Sequence, residues 1–217
     1  MNYTKVKKSL VNKKIVFLDL WGTVFIENNI YNLNFKRAEV LNSILDNKYE
    51  INYLKDKIEK NITSFKVQEK AGKSISSTKR IENVLKSIDL EFDTNLIEKI
   101  VYAFDKLYFD SFKPIINKKL LDLVSSKKTI LVSNTGLVTG NCIDRLLDYY
   151  NVKNNFFKRY YSDQLLYCKP NPMFLKKVIK ENNLTVNDCI YIGDSYEMDY
   201  QLCLKLGVDC VIDKWEI

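Results

Sequence analysis

Residues 17–25 read FLDLWGTVF, and the fold turns on how this stretch is placed. Four apolar residues, Ile15 to Leu18, lead into Asp19, and Gly22 follows where the chain can turn. Near-continuous hydrophobicity over four or five residues suits a strand covered on both faces, as in a parallel sheet. A carboxylate at the end of such a strand stands where open α/β sheets bind ligands. Trp21 then sets a bulky indole two residues after the carboxylate.

Similar short apolar runs recur at 129–132, 189–192 and 208–212. Helical patterns lie between them. Residues 115–124 place Ile116, Leu120, Leu121 and Val124 on one face, and 141–150 do the same with Ile143, Leu146, Leu147 and Tyr150. Pro172 opens a third helix in the first turn, where a missing N–H is tolerated. Alternating strand and helix predicts a doubly wound α/β domain with a parallel, Rossmann-like sheet. From 28 to 112 the pattern changes to helical periodicity without a convincing strand. Helices are expected near 34–47, 51–70 and 77–88, with another N-capped by Thr94. The expected organisation is a core of 1–27 and 113–217 with a helical cap, 28–112, inserted after the first strand.

Composition narrows the functions. The chain has 217 residues, a net charge of +7 and 46% hydrophobic residues, which fits a globular protein with one sizeable core. Only Arg37, Arg80, Arg145 and Arg159 among the 34 basic residues are arginines, and the lysines are scattered. That pattern argues against a nucleic-acid partner and leaves mild support for a small anionic substrate. The five cysteines form no C-x-x-C pair and fall mostly in apolar stretches, so reduced thiols and a cytoplasmic location are expected. The N-terminal apolar run is too short for a signal peptide or a membrane span. Histidine is absent, which removes Ser-His and Cys-His pairs and histidine metal sites. Any metal must be held by oxygen, pointing to magnesium or calcium. Residues 71–74, AGKS, lack the glycine at 67 that a phosphate-binding P-loop needs, since Val67 stands there.

The strand ends deliver a consistent set of polar groups. The first gives Asp19 and, past Gly22, Thr23; the second gives Ser133 and Asn134; the third gives Asp194, with Asp199 five residues on. Lys169 precedes Pro170 in the loop between the last two of these. Singly, each is more often a turn residue or helix cap. Together they place carboxylates, hydroxyls and a cation at one sheet edge.

In that order, FLDLWGT, LVSN, CKPNP and IGDSYEMD resemble the four motifs of the haloacid dehalogenase-like hydrolase superfamily, and the helical insertion is similar to its cap. The resemblance spans nearly the whole chain. It implies that Asp19 is a nucleophile forming a covalent aspartyl intermediate. It implies that Thr23 and Ser133, with backbone N–H groups near Gly22 and Asn134, bind the transferring group. Lys169 would offset negative charge. Mg²⁺ would be held by Asp19, Asp194 and the main-chain carbonyl of Trp21, with Asp199 among or just beyond its ligands.

Phosphatases of this superfamily carry an aspartate, the general acid and base, at the position of Trp21. Three readings stay open. One is a magnesium-dependent phosphatase acting on a small phosphorylated metabolite, slow or restricted to good leaving groups, because general acid catalysis is worth about 10²–10⁴-fold. Another is a 2-haloacid dehalogenase, since halide departs without a proton, although the Asp194–Asp199 pair argues for a metal. The last is a catalytically quiet ligand-binding protein in which Trp21 walls a pocket. For Trp21 itself, the plain alternative is packing between core and cap.

Overall fold

The structure, a computed structural model, describes residues 1–26, 32–165 and 167–214. A short helix α1 (Tyr3–Ser9) precedes strand β1 (Ile15–Leu18), and β2 (Phe25–Ile26) follows the Asp19 turn. Next come α2 (Leu33–Ile44), α3 (Ile51–Lys70), α4 (Ser77–Lys86) and α5 (Thr94–Ser111). The chain returns through β3 (Ile115–Ile116), α6 (Lys118–Val124), β4 (Lys128–Ser133) and α7 (Gly140–Tyr149). It ends with β5 (Lys158–Tyr161), α8 (Ser162–Leu165), α9 (Pro172–Glu181), β6 (Cys189–Gly193), α10 (Gln201–Leu206) and β7 (Asp209–Ile212).

The described residues form a parallel sheet ordered β5-β4-β1-β6-β7. β1 lies between β4 and β6, pairing Leu18 with Leu131 on one side and Ile192 on the other. All four β1 residues are buried, because helices cover both faces. Val16 and Leu18 pack with α6 and α7 residues such as Leu121 and Ile143, whereas Ile15 and Phe17 pack with Phe174 and Leu202 from α9 and α10. The strand order reverses beside β1, so its C-terminal end opens into the crevice where such sheets bind ligands.

Helices α2 to α5 have a hydrophobic cluster of their own, built on Leu41, Leu54, Ile58, Ile81, Val84, Ile100 and Phe104. It also takes in Leu137, from the loop after β4. This is the helical cap, inserted after the first strand; residues 28–31 of the expected insertion lie outside the described residues. Where the chain leaves and re-enters the core, β2 and β3 form a short antiparallel pair.

Two local expectations are corrected, and two elements escaped the sequence pattern. Asp93, not Thr94, caps α5, accepting from the Leu96 N–H at 2.8 Å, and Thr94 is the first helical residue. The helix expected from 115 begins at 118, because Asn117 caps it and Ile115–Ile116 pair with β2 instead. Strand β5 escaped the pattern because KRYY at a sheet edge carries two partly solvated basic residues. Helix α1 is too short for periodicity to reveal, with Val6 its buried residue.

Polar ties dock the cap on the core. Asp105 of α5 accepts from the Thr139 N–H at 2.9 Å and from its hydroxyl at 2.5 Å. Thr139 in turn caps α7 by accepting from Cys142 N–H. Ser74 donates to the Ser162 carbonyl at 2.7 Å, and Asn171 donates to the Gly72 carbonyl at 3.0 Å. An Asp105→Ala protein would leave the Thr139 N–H and hydroxyl in a buried interface without their acceptor. The expected loss is about 1–3 kcal/mol in urea unfolding, where an Asp93→Ala cap variant on the exposed end of the same helix should lose about 1 kcal/mol.

Candidate active site

The Asp19 turn is tightly wound. The Asp19 N–H donates to the Ile192 carbonyl of β6 at 3.0 Å, which fixes the start of the turn against the neighbouring strand. Val24 and Phe25 N–H groups donate back to the Leu20 carbonyl, and Gly22 N–H donates to the Phe25 carbonyl at 2.8 Å. Gly22 takes a left-handed φ of +75°, and a Cβ there would lie 2.3 Å from Asp194 Oδ2. At Gly193 a Cβ would lie 2.3 Å from Asp199 Oδ2. Glycine at both positions is therefore what lets two carboxylates close on the end of β1.

Lys169 enters this space from the opposite side. The Asn134 side chain clasps its main chain, accepting from the Lys169 N–H at 2.9 Å and donating to its carbonyl at 3.0 Å. The ammonium is buried and uses all three of its donors: Asp19 Oδ1 at 2.5 Å, Asp199 Oδ1 at 2.8 Å and the Tyr191 hydroxyl at 3.0 Å. Tyr191 donates its own proton to Asp199 Oδ1 at 2.8 Å, and Ser195 N–H donates to Asp199 Oδ2 at 3.1 Å. Ser195 also caps the wide turn 196–200 by accepting from the Met198 N–H, which holds Asp199 inward.

One oxygen each of Asp19, Asp194 and Asp199 lies within 4.8 Å of the others. Burial pushes the Asp19 carboxyl up to about 7; Lys169 opposes that rise, while Asp199 and Asp194 add to it. Asp194 is also raised, by burial and then by Asp199. Burial works against the charge on Lys169, but Asp19 and Asp199 outweigh it and hold the ammonium above the usual lysine range. Three carboxyl groups face one lysine, so acids outnumber the cation in a largely buried site. Such an all-oxygen donor set suits a hard divalent cation, and glycine at 22 and 193 leaves room for the carboxylates to approach this closely.

Asp19, Trp21, Asn134, Lys169, Asp194 and Asp199 line one cavity of about 270 Å³, together with Ser195 and Met198. Thr23 and Ser133 stand behind that wall. Both are fully buried; Thr23 Oγ1 is 3.5 Å from Asp19 Oδ2, and Ser133 donates to the Asn134 carbonyl at 3.1 Å. Tyr191 and Ser195 escaped the sequence reading. Tyr191 lies inside a continuous apolar strand, where a tyrosine reads as core, and Ser195 reads as an ordinary helix cap.

Trp21 is a structural partition. Its indole N–H donates to the Asn134 carbonyl at 3.1 Å, and its ring meets Phe112 at 5.5 Å, Tyr108 at 6.1 Å and Phe25 at 6.3 Å between centroids. Phe25 belongs to the core and Tyr108 to α5, so the indole packs between core and cap. It also borders a second cavity of about 400 Å³ on the cap side.

Residues 30–212 match the family model described as haloacid dehalogenase-like hydrolase. The match begins beyond the Asp19 turn, so the place of Asp19 rests on the geometry above. No curated protein matches the sequence. Among solved structures, the chain is similar to a 2-haloacid dehalogenase of Pseudomonas syringae, with 14% identity, 94% and 90% of the two chains covered and a TM-score of 0.63. YfnB of Bacillus subtilis, a HAD-type hydrolase solved with magnesium, gives 16% identity, 91% and 85% coverage and a TM-score of 0.60. A predicted phosphoglycolate phosphatase of Haemophilus somnus gives 16%, 93% and 84%, and 0.54. At these identities the likeness is one of fold.

The raised Asp19 carboxyl carries a stability signature. Folding tightens its proton, so its contribution is fully present below the unfolded value of 3.8 and lost as pH rises toward 7. Metal-free wild type should therefore lose stability relative to Asp19→Asn between about pH 4 and about pH 7, by up to about 1.4 kcal/mol per unit. Thermal melts at graded pH read this, and Mg²⁺ should raise the wild-type midpoint at neutral pH while shifting Asp19→Asn much less.

Proposed function

Because the chain belongs to the haloacid dehalogenase-like hydrolases, we propose that it hydrolyses a small phosphorylated metabolite through Asp19, with Mg²⁺ as cofactor. The observation that carries this reading is the buried Asp19 carboxylate, held at 2.5 Å by Lys169 within reach of Asp194 and Asp199. Asp19 and Asp194, with the main-chain carbonyl of Trp21, would hold the ion. Asp199 already accepts from Lys169, Tyr191 and Ser195, so it contributes charge and holds Lys169 in place. What magnesium supplies when bound there is positive charge against the carboxylates and the phosphoryl oxygens.

The chemistry divides into two displacements. An Asp19 oxygen attacks phosphorus as the bond to the leaving oxygen breaks, and the leaving group departs with its electron pair. Water then attacks the aspartyl phosphate, the Asp19–phosphorus bond breaks, and both hydrogens of the water end on dihydrogen phosphate. Lys169 offsets charge on Asp19 throughout, and its contacts with Asp199 and Tyr191 keep the ammonium from swinging away. Trp21 offers no proton to the leaving group, because its N–H is committed to the Asn134 carbonyl. Acyl and aryl phosphates, which depart as stabilised anions, are therefore the favoured class.

The same commitment of Trp21 favours one rival, carbon–halogen hydrolysis, in which halide leaves unprotonated. A chelator separates the two: phosphate release should stop without Mg²⁺, whereas halide release from a 2-haloacid would continue. In a phosphate-release assay with acetyl phosphate and an aryl phosphate, wild type should turn over with Mg²⁺ and Asp19→Asn should be silent. Trp21→Asp should speed alkyl phosphates by about 10²-fold or more relative to the activated ones. Silence of wild type on every activated phosphate would sink the proposal.

A further inference from the structure

Residues 71–74, AGKS, are no phosphate loop, yet they stand beside the candidate active site. They close helix α3 and lead toward α4. Gly72 takes a left-handed φ of +75°, and the Gly72 and Lys73 N–H groups donate back to the Glu69 and Gln68 carbonyls at 2.7 and 3.0 Å. The bend is braced from within the cap, where Arg80 of α4 pairs with Glu69 at 2.5 Å and donates to the Ile75 carbonyl at 3.2 Å.

What this bend meets is the turn that carries Lys169. Lys73 bridges Tyr167 in antiparallel register, and the Cys168 thiol donates to the Glu69 carbonyl at 3.7 Å. Past the lysine, the Asn171 side-chain amide donates to the Gly72 carbonyl at 3.0 Å. A Cβ on Gly72 would lie 2.7 Å from Asn171 Cβ, so glycine is what lets the two segments approach this closely. Asn171 also accepts from the Met173 N–H at 2.9 Å, capping α9, and its own N–H donates to the Cys168 carbonyl at 2.8 Å. The cap therefore grips the turn on both sides of Lys169, while Asn134 clasps the lysine main chain from the core.

We propose that the 69–74 loop of the cap is a positioning element for Lys169, with Gly72 and Asn171 as its positioning residues. Docking of the cap fixes the turn from which the ammonium reaches Asp19. This rests on the reading of Asp19 and Lys169 as reacting groups, and it makes the cap a support of the charge arrangement in the core. Residues 69–74 stand outside the lining of the Asp19 cavity, so their action passes through the lysine.

The test is lysine footprinting of the full chain by mass spectrometry, with a limiting amount of an amine-acetylating ester and the exposed Lys176 of α9 as internal reference. Asn171→Ser keeps an acceptor for the Met173 N–H, so α9 stays capped, but its side chain is too short to reach the Gly72 carbonyl. Gly72→Ala pushes the loop away from Asn171 from the other side. In both variants Lys169 should be labelled about tenfold faster relative to Lys176 than in wild type. Asp93→Ala, which weakens the cap at a residue outside the loop, should leave that ratio unchanged. With an activated aryl phosphate and Mg²⁺, kcat of both loop variants should fall about tenfold while KM moves less than about twofold. A Lys169 ratio unchanged in both variants, or raised equally in Asp93→Ala, overturns the proposal. So does an effect confined to KM, which would place the loop against the substrate. If wild type releases no phosphate while the labelling ratio rises as stated, the phosphatase reading fails and the positioning role stands.

Discussion

The buried ammonium of Lys169 is the interaction on which the site depends. Its three donors meet Asp19, Asp199 and Tyr191, so the ends of β1 and β6, the loop before α9 and the turn after β6 converge on one nitrogen. Burying those charges is unfavourable unless each is paired and hydrogen-bonded. The surrounding contacts meet that condition. Asn134 holds the lysine main chain, Tyr191 supplies the remaining acceptor, and Ser195 N–H satisfies the far oxygen of Asp199. Three carboxylates nevertheless share that one lysine, and in a chain without histidine the cluster's candidate ligand atoms are carboxylate oxygens.

Trp21 ties this electrostatic centre to the cap. The indole reaches the Asn134 carbonyl and meets Phe112 and Tyr108 edge-on. The Asn134 residue thus links three functions, clasping Lys169 with its side chain and receiving both Trp21 and Ser133 on its carbonyl. Substituting Trp21 therefore changes both the proton inventory of the site and the seam on which the cap rests. Chemistry and cap docking share a residue here.

Much of this was legible in one dimension. The apolar runs became β1, β4, β6 and β7, and the helical stretch between the first two became α2 to α5, since burial on two faces or along one stripe imposes its own periodicity. The parts that escaped depend on weak or shared signals. An edge strand such as KRYY has no need of continuous apolar residues, and a two-residue strand such as β3 is defined only by its partner. Thr94 and Asp93 are both acceptable caps by type, and only the backbone decides which side chain meets the Leu96 N–H.

For the site, sequence alone determined the inventory: Asp19, Ser133, Asn134, Lys169, Asp194 and Asp199 follow strands or precede a helix, where the chain must leave the sheet edge. It also determined what the chemistry lacks, with no histidine anywhere and no carboxylate at position 21. Only the tertiary structure decided that Lys169 reaches across 150 positions to Asp19, that the core residue Tyr191 also partners Lys169 through its hydroxyl, and that Thr23 and Ser133 lie behind the cavity wall. It alone brought residues 72–73 of the cap against the turn that carries Lys169. The physical reason is that periodicity records which face of an element is buried, whereas hydrogen bonds and charge pairs depend on where separate elements meet.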